Sequence, residues 1–63
     1  MSFSEALELV KDGKEVRRKS WSKVEYLWIE NGKLMRRIDY DLLELEIVRM
    51  ETEDILAEDW ELL

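Results

Sequence analysis

The stretch Val24-Glu25-Tyr26-Leu27-Trp28-Ile29-Glu30-Asn31-Gly32-Lys33-Leu34-Met35-Arg36-Arg37-Ile38 decides the fold. Asn31-Gly32 tolerates positive φ at both central positions of a two-residue loop, which a type I′ hairpin requires. The flanking segments hold the apolar and aromatic residues of paired strands. This reading predicts antiparallel strands at 23–30 and 33–39. Along the first, Tyr26 and Trp28 share one face, and Leu27 and Ile29 share the other. If Leu27 and Ile29 face the core, the aromatic pair emerges opposite, where it needs a partner subunit or a ligand.

Upstream, residues 2–12 read as a helix. Ser2 followed by Glu5 is a capping-box pattern. Phe3, Ala6, Leu7 and Val10 recur at spacings of three and four and so share a face, with Leu9 at its margin. Lys11 suits the last turn, and Gly13 is a natural stop in the left-handed region. The segment from Lys14 to Trp21 is too polar for a strand buried on both faces. It reads as a one-sided or edge strand with Val16 inward, ended by a turn at Ser20 and Ser22.

Downstream, Leu43-Glu44-Leu45-Glu46-Ile47 alternates with period two, which favours a strand with Leu43, Leu45 and Ile47 inward. Leu42, Val48 and Met50 blur the pattern, so a short helix is an alternative there. Thr52 is the expected N-cap of a helical turn, with Glu53 and Asp54 at its positive end and Ile55, Leu56 and Ala57 on its apolar side. Residues 59–63 read as a last strand. The fold class is α+β: one domain over 1–63, an N-terminal helix packed on a small, mainly antiparallel sheet, and a short helical turn before the final strand.

Composition narrows the function. A 63-residue chain buries only about 60% of its unfolded surface. Domains of this size usually recruit disulfides, a metal or a partner chain. The sequence has no cysteine and no histidine, so disulfides are excluded and a structural zinc site lacks its usual ligands. Self-association remains, and a homo-oligomer, dimer or tetramer, is expected. The start of the chain has neither a basic nor an apolar leader region, and no run approaches the roughly 20 apolar residues of a membrane span. A cytoplasmic location is expected, without membrane attachment.

The net charge of −6 is unevenly placed. Residues 11–37 carry nine Lys/Arg and four Asp/Glu, whereas 38–63 carry Arg49 against ten acids. The acidic total opposes general nucleic-acid binding, which rests on phosphate neutralisation. A local basic patch still suits a small phosphorylated ligand. Attraction between the two halves of the fold, or between subunits, is the structural alternative.

Catalysis has little material. Ser2, Ser4, Ser20 and Ser22 have no histidine to activate them. Lys14, Lys19, Lys23 and Lys33 read as exposed charges rather than bases. Acids adjacent in sequence, such as Asp39 with Asp41, Glu44 with Glu46 and Glu58 with Asp59, read as solvated rows, because so short a monomer has little room for a substrate cleft. No catalytic residue, cofactor or metal is expected. The aromatics are more informative. Trp60 reads as core, and Trp28 as sheet core or subunit interface. Trp21 follows Arg17, Arg18 and Lys19, and indole stacking beside forked guanidinium groups suits an anionic nucleotide. The candidate ligand-binding residues are Arg17, Arg18, Lys19, Trp21, Tyr26 and Trp28.

Two segments carry a family resemblance. Ser2-Phe3-Ser4-Glu5-Ala6-Leu7 leads through Gly13-Lys14 to Val16-Arg17-Arg18-Lys19-Ser20-Trp21, and the chain closes with Asp54-Ile55-Leu56-Ala57-Glu58-Asp59-Trp60-Glu61-Leu62. In order and spacing this resembles the second type of Thoeris anti-defence protein, a family of small phage proteins. Serine stands at Ser20 where glycine is commoner, and the tight Asn31-Gly32 hairpin replaces a Gly/Pro-rich middle. The resemblance implies a nucleotide sponge. Such a protein sequesters cyclic ADP-ribose-type or other cyclic-nucleotide immune signals without cleaving them, in pockets between subunits, inside the host cell. It maps the first motif onto Arg18 and Trp21 and the closing motif onto Asp54, Leu56, Ala57, Asp59 and Trp60. Arg18 has a scaffold alternative, an ion pair with Asp54 or Asp59. A different function, a small module docking a host protein through the exposed aromatic strand face, is the runner-up. A phosphodiester-cleaving enzyme using paired acids and a metal is the third.

Overall fold

The computed structural model describes residues 1–21, 25–38, 41–44 and 50–63. Helix α1 spans Phe3–Lys11. Ser2 Oγ accepts from Glu5 N–H at 3.2 Å, and Glu5 Oε1 accepts from Ser2 N–H at 3.0 Å. These two bonds close the capping box and hold the Glu5 carboxyl below its usual range. At the other end Gly13 adopts φ +88°. Lys14 N–H reaches Leu9 C=O and Gly13 N–H reaches Val10 C=O, the two bonds of a Schellman stop. Phe3, Ala6 and Val10 are buried, with Leu7 and Leu9 packed beside them.

The strands are β1 (Val16–Arg18), β2 (Tyr26–Glu30), β3 (Lys33–Ile38), β4 (Asp41–Glu44) and β5 (Trp60–Leu62), with helix α2 (Thr52–Leu56) before the last. They form one sheet in the order β4-β3-β2-β1-β5, every pair antiparallel. Asn31 (φ 51°) and Gly32 (φ 75°) make the expected hairpin turn, which sets Glu30 opposite Lys33 and Tyr26 opposite Arg37. The ends of the two predicted strands, 23–24 and 39, lie outside the described residues.

Three local expectations are corrected. Strand β1 is not an edge: it lies between β2 and β5. Its polarity is tolerated because α1 covers one face of the sheet, so Val16 is buried and Arg17 takes the other side. Helix α2 has Glu51 rather than Thr52 at its N-cap, with no side-chain capping bond. Its inward residue is Asp54, whereas Leu56 is 72% exposed and Ile55 is also exposed. A buried ionic contact to β1, not an apolar stripe, fixes its orientation. Of the third predicted strand, 41–44 is observed and 45–47 lies outside the described residues. Leu43 pairs with Arg36.

The core joins Phe3, Ala6 and Val10 to Val16, Leu27, Met50 and Trp60, with Trp21, Leu34 and Ala57 against it. Trp60, expected as core, is 1% exposed. Its indole N–H donates to Asp54 C=O at 2.8 Å, which satisfies the polar handle that a buried tryptophan brings.

Candidate functional site

Alternation along β1 and β2 divides the six candidate residues between two sides of the sheet. Val16 and Leu27 are register partners and both are buried, so Arg18 lies with them on the helix side. Arg17, Tyr26 and Trp28 lie on the opposite face, where all three are partly buried. Trp21 follows β1 on the helix side, against the core. Lys19 is exposed in the turn, and its N–H donates to Asp59 C=O.

Arg18 binds two carboxylates within the fold. Its Nε donates to Asp59 Oδ1 at 2.8 Å, Nη2 to Oδ2 at 3.3 Å, and Nη1 to Asp54 Oδ1 at 2.6 Å. These bonds raise the guanidinium pKa still further and hold the Asp59 carboxyl below its usual range. The first and last motifs of the family resemblance thus meet here, as β1 pairs with β5 at Arg18 and Trp60. The scaffold alternative for Arg18 is what the structure displays.

Trp21 is held from several directions. Its ring meets Trp60 edge-on at 5.1 Å, and the Arg36 guanidinium lies over it at 4.2 Å from the ring centre. Its C=O accepts from Arg17 Nη2 at 2.6 Å. Arg36 also donates from Nη2 to Glu25 Oε2 at 3.0 Å, while its buried Nε has no hydrogen-bond partner among the described residues.

On the face away from α1, Tyr26 and Trp28 lie 5.2 Å apart, and Arg37 sits over Tyr26 at 6.0 Å. Met35 is opposite Trp28, and Arg17 beside them is paired with Glu61. Consecutive residues of β3 therefore send one guanidinium to each side of the sheet. Each meets an aromatic ring, Arg36 on Trp21 and Arg37 on Tyr26. Neither arginine was singled out from sequence. The Arg37–Tyr26 pair follows directly from the Asn31-Gly32 register, whereas Arg36–Trp21 depends on the route of the chain after β1.

An open groove of about 380 Å³ lies elsewhere, lined by Met1, Glu5, Glu8, Leu9 and Asp12. Three carboxylates make it unsuitable for a phosphorylated ligand. The guanidinium–aromatic pairs have the matching chemistry: a π-face for a planar base and donors for oxyanions. Among the described residues, no helix is long and apolar enough to cross a membrane. No curated protein matches the chain. The two end motifs, joined through Arg18, agree with the wider comparison, which matches the whole of residues 1–63: the chain belongs to the Thoeris anti-defense 2-like domain family.

Proposed function

We propose that this anti-defence domain sequesters a nucleotide-type immune messenger, a cyclic nucleotide or a cyclic ADP-ribose-type molecule, and releases it intact. One observation carries the reading: β3 sets two guanidinium–aromatic pairs, Arg36 on Trp21 and Arg37 on Tyr26, in a protein of an anti-defence family. Base stacking contributes about 1–3 kcal/mol per base. Nanomolar capture corresponds to about −12 kcal/mol, so charge-assisted contacts to phosphate supply much of the remainder. A pocket closed between copies of the chain limits the ordering cost, and a homo-oligomer in the host cytoplasm is part of this proposal. The chain acts as a binder and not as an enzyme.

The test is to mix the protein with cyclic nucleotides, remove unbound compound, and heat-denature the complex. Chromatography should return the starting compound intact and in stoichiometric amount. A cleaved product that increases with incubation time would instead support an enzyme. No retained nucleotide would favour the second reading, a host-protein contact through Tyr26, Trp28 and Met35. That reading is motivated by the tilted aromatic pair on the face away from α1.

A further inference from the structure

Arg17, Arg18 and Arg36 differ in how their donors are used. Arg18 presents its Nε/Nη2 edge to both oxygens of Asp59. Arg17 directs Nε to Arg18 C=O and towards Glu61, and Nη2 to Trp21 C=O. Arg36 donates from Nη2 to Glu25 Oε2, and its buried Nε has no acceptor among the described residues. A buried donor left unpaired costs about 1–3 kcal/mol. The Arg36 side chain is 17% exposed and that of Glu25 is 21% exposed, so the ion pair reaches the surface.

From this contrast we propose that Arg36 is an oxyanion-receiving residue: a phosphate group displaces Glu25 and takes both Nε–H and Nη2–H, with the Trp21 ring supporting the guanidinium from behind. A guanidinium edge matches a phosphate in a bidentate fork. Glu25 already takes the Nη2 donor, so an incoming anion competes with it. The exchange satisfies the orphaned donor and frees the Glu25 carboxylate to turn to solvent. The Trp21 ring, 4.2 Å from Arg36 Cζ, covers one side of the guanidinium and leaves its rim for the anion. The inference deepens the sequestration reading by naming where a phosphate of the ligand is held, but it can be tested separately from it.

The probes are inorganic pyrophosphate and, separately, cyclic nucleotides, titrated into the 63-residue chain labelled with ¹⁵N. Observed are the Arg36 Nε–H and Trp21 indole resonances. Saturable shifts of Arg36 Nε–H with either probe are expected. Glu25→Gln removes the competitor and should tighten pyrophosphate binding about two- to fivefold, the range of a partly exposed ion pair. Arg36→Lys keeps the charge but loses the fork and should weaken it about tenfold or more. The Glu25 result is a gain of affinity, which misfolding does not mimic. An Arg36 Nε–H resonance unmoved at saturating probe, or Glu25→Gln binding no tighter than the parent, overturns the proposal. Nucleotide retained with Arg36 unmoved leaves sequestration standing without this residue. Pyrophosphate shifting Arg36 while no nucleotide is retained does the reverse.

Discussion

At the scale of single residues, the contact between β1 and α2 concentrates risk. Arg18 is the partner of Asp54, whose side chain is 5% exposed. Removing one member of a buried ion pair strands the other and costs about 3–5 kcal/mol. The whole core of a domain this size supplies roughly 3–5 kcal/mol, so Arg18→Ala should be largely unfolded at 25 °C. Circular dichroism with a urea titration checks this, and a cooperative transition near that of the parent would show the pair to be dispensable. The same cluster sets an acid limit. The Arg18 hydrogen bonds lower the folded pKa of Asp59. Its contribution is therefore complete above the unfolded value of about 4 and is lost as pH falls through the lower folded value. The parent should lose more stability between pH 5 and about pH 3 than Asp59→Asn, measured as the difference in urea midpoints. Trp21 gives a third test. Expected from sequence as a ligand-stacking residue, it also packs on Trp60. Trp21→Ala should lower the melting temperature as well as affinity, whereas Trp28→Ala should change stability less, because Trp28 lies on the face away from the core. Equal melting losses would show that Trp28 is as deeply integrated as Trp21.

Elements differ in how local their causes are. Helix α1 is specified by its own residues: a capping box, an apolar stripe and a glycine stop. Ser2→Ala removes one capping acceptor and should cost about 1 kcal/mol, read as a shifted denaturation midpoint with the fold retained. The β2–β3 hairpin is equally local. Gly32→Ala places a Cβ at φ 75° in open space, so backbone strain alone sets its cost, about 1 kcal/mol. A loss several times larger would mean that the turn contacts something beyond the hairpin. Helix α2 is the opposite case. Its five residues are far too few to be helical alone, and its apolar Ile55 and Leu56 point outward while Asp54 turns in. Sequence periodicity could not find this, because an ionic partner 36 positions away decides the orientation.

For the whole molecule, the order β4-β3-β2-β1-β5 leaves one sheet face covered by α1 and the other carrying Arg17, Tyr26, Trp28, Met35 and Arg37. Proposed self-association predicts that light scattering at micromolar concentration returns a mass at least twice 7.7 kDa, and a stable folded monomer would remove the intersubunit pocket. The sequence by itself determined what depends on neighbours a few positions apart: the α1 caps and stripe, the Asn31-Gly32 register with its Tyr26–Arg37 pairing, and the inward facing of Val16 and Leu27. It also held the motifs at both ends by which the family is recognised. Only tertiary structure decided which arginine serves which purpose. Arg17, Arg18 and Arg36 are chemically alike and all lie on strands. Their roles diverge because α2 and the residue just before β5 bring Asp54 and Asp59 to Arg18, a backbone turn brings Trp21 C=O to Arg17, and Glu25 meets Arg36 at Nη2. Ion pairing is a through-space interaction, fixed by distances that close only once the sheet has formed.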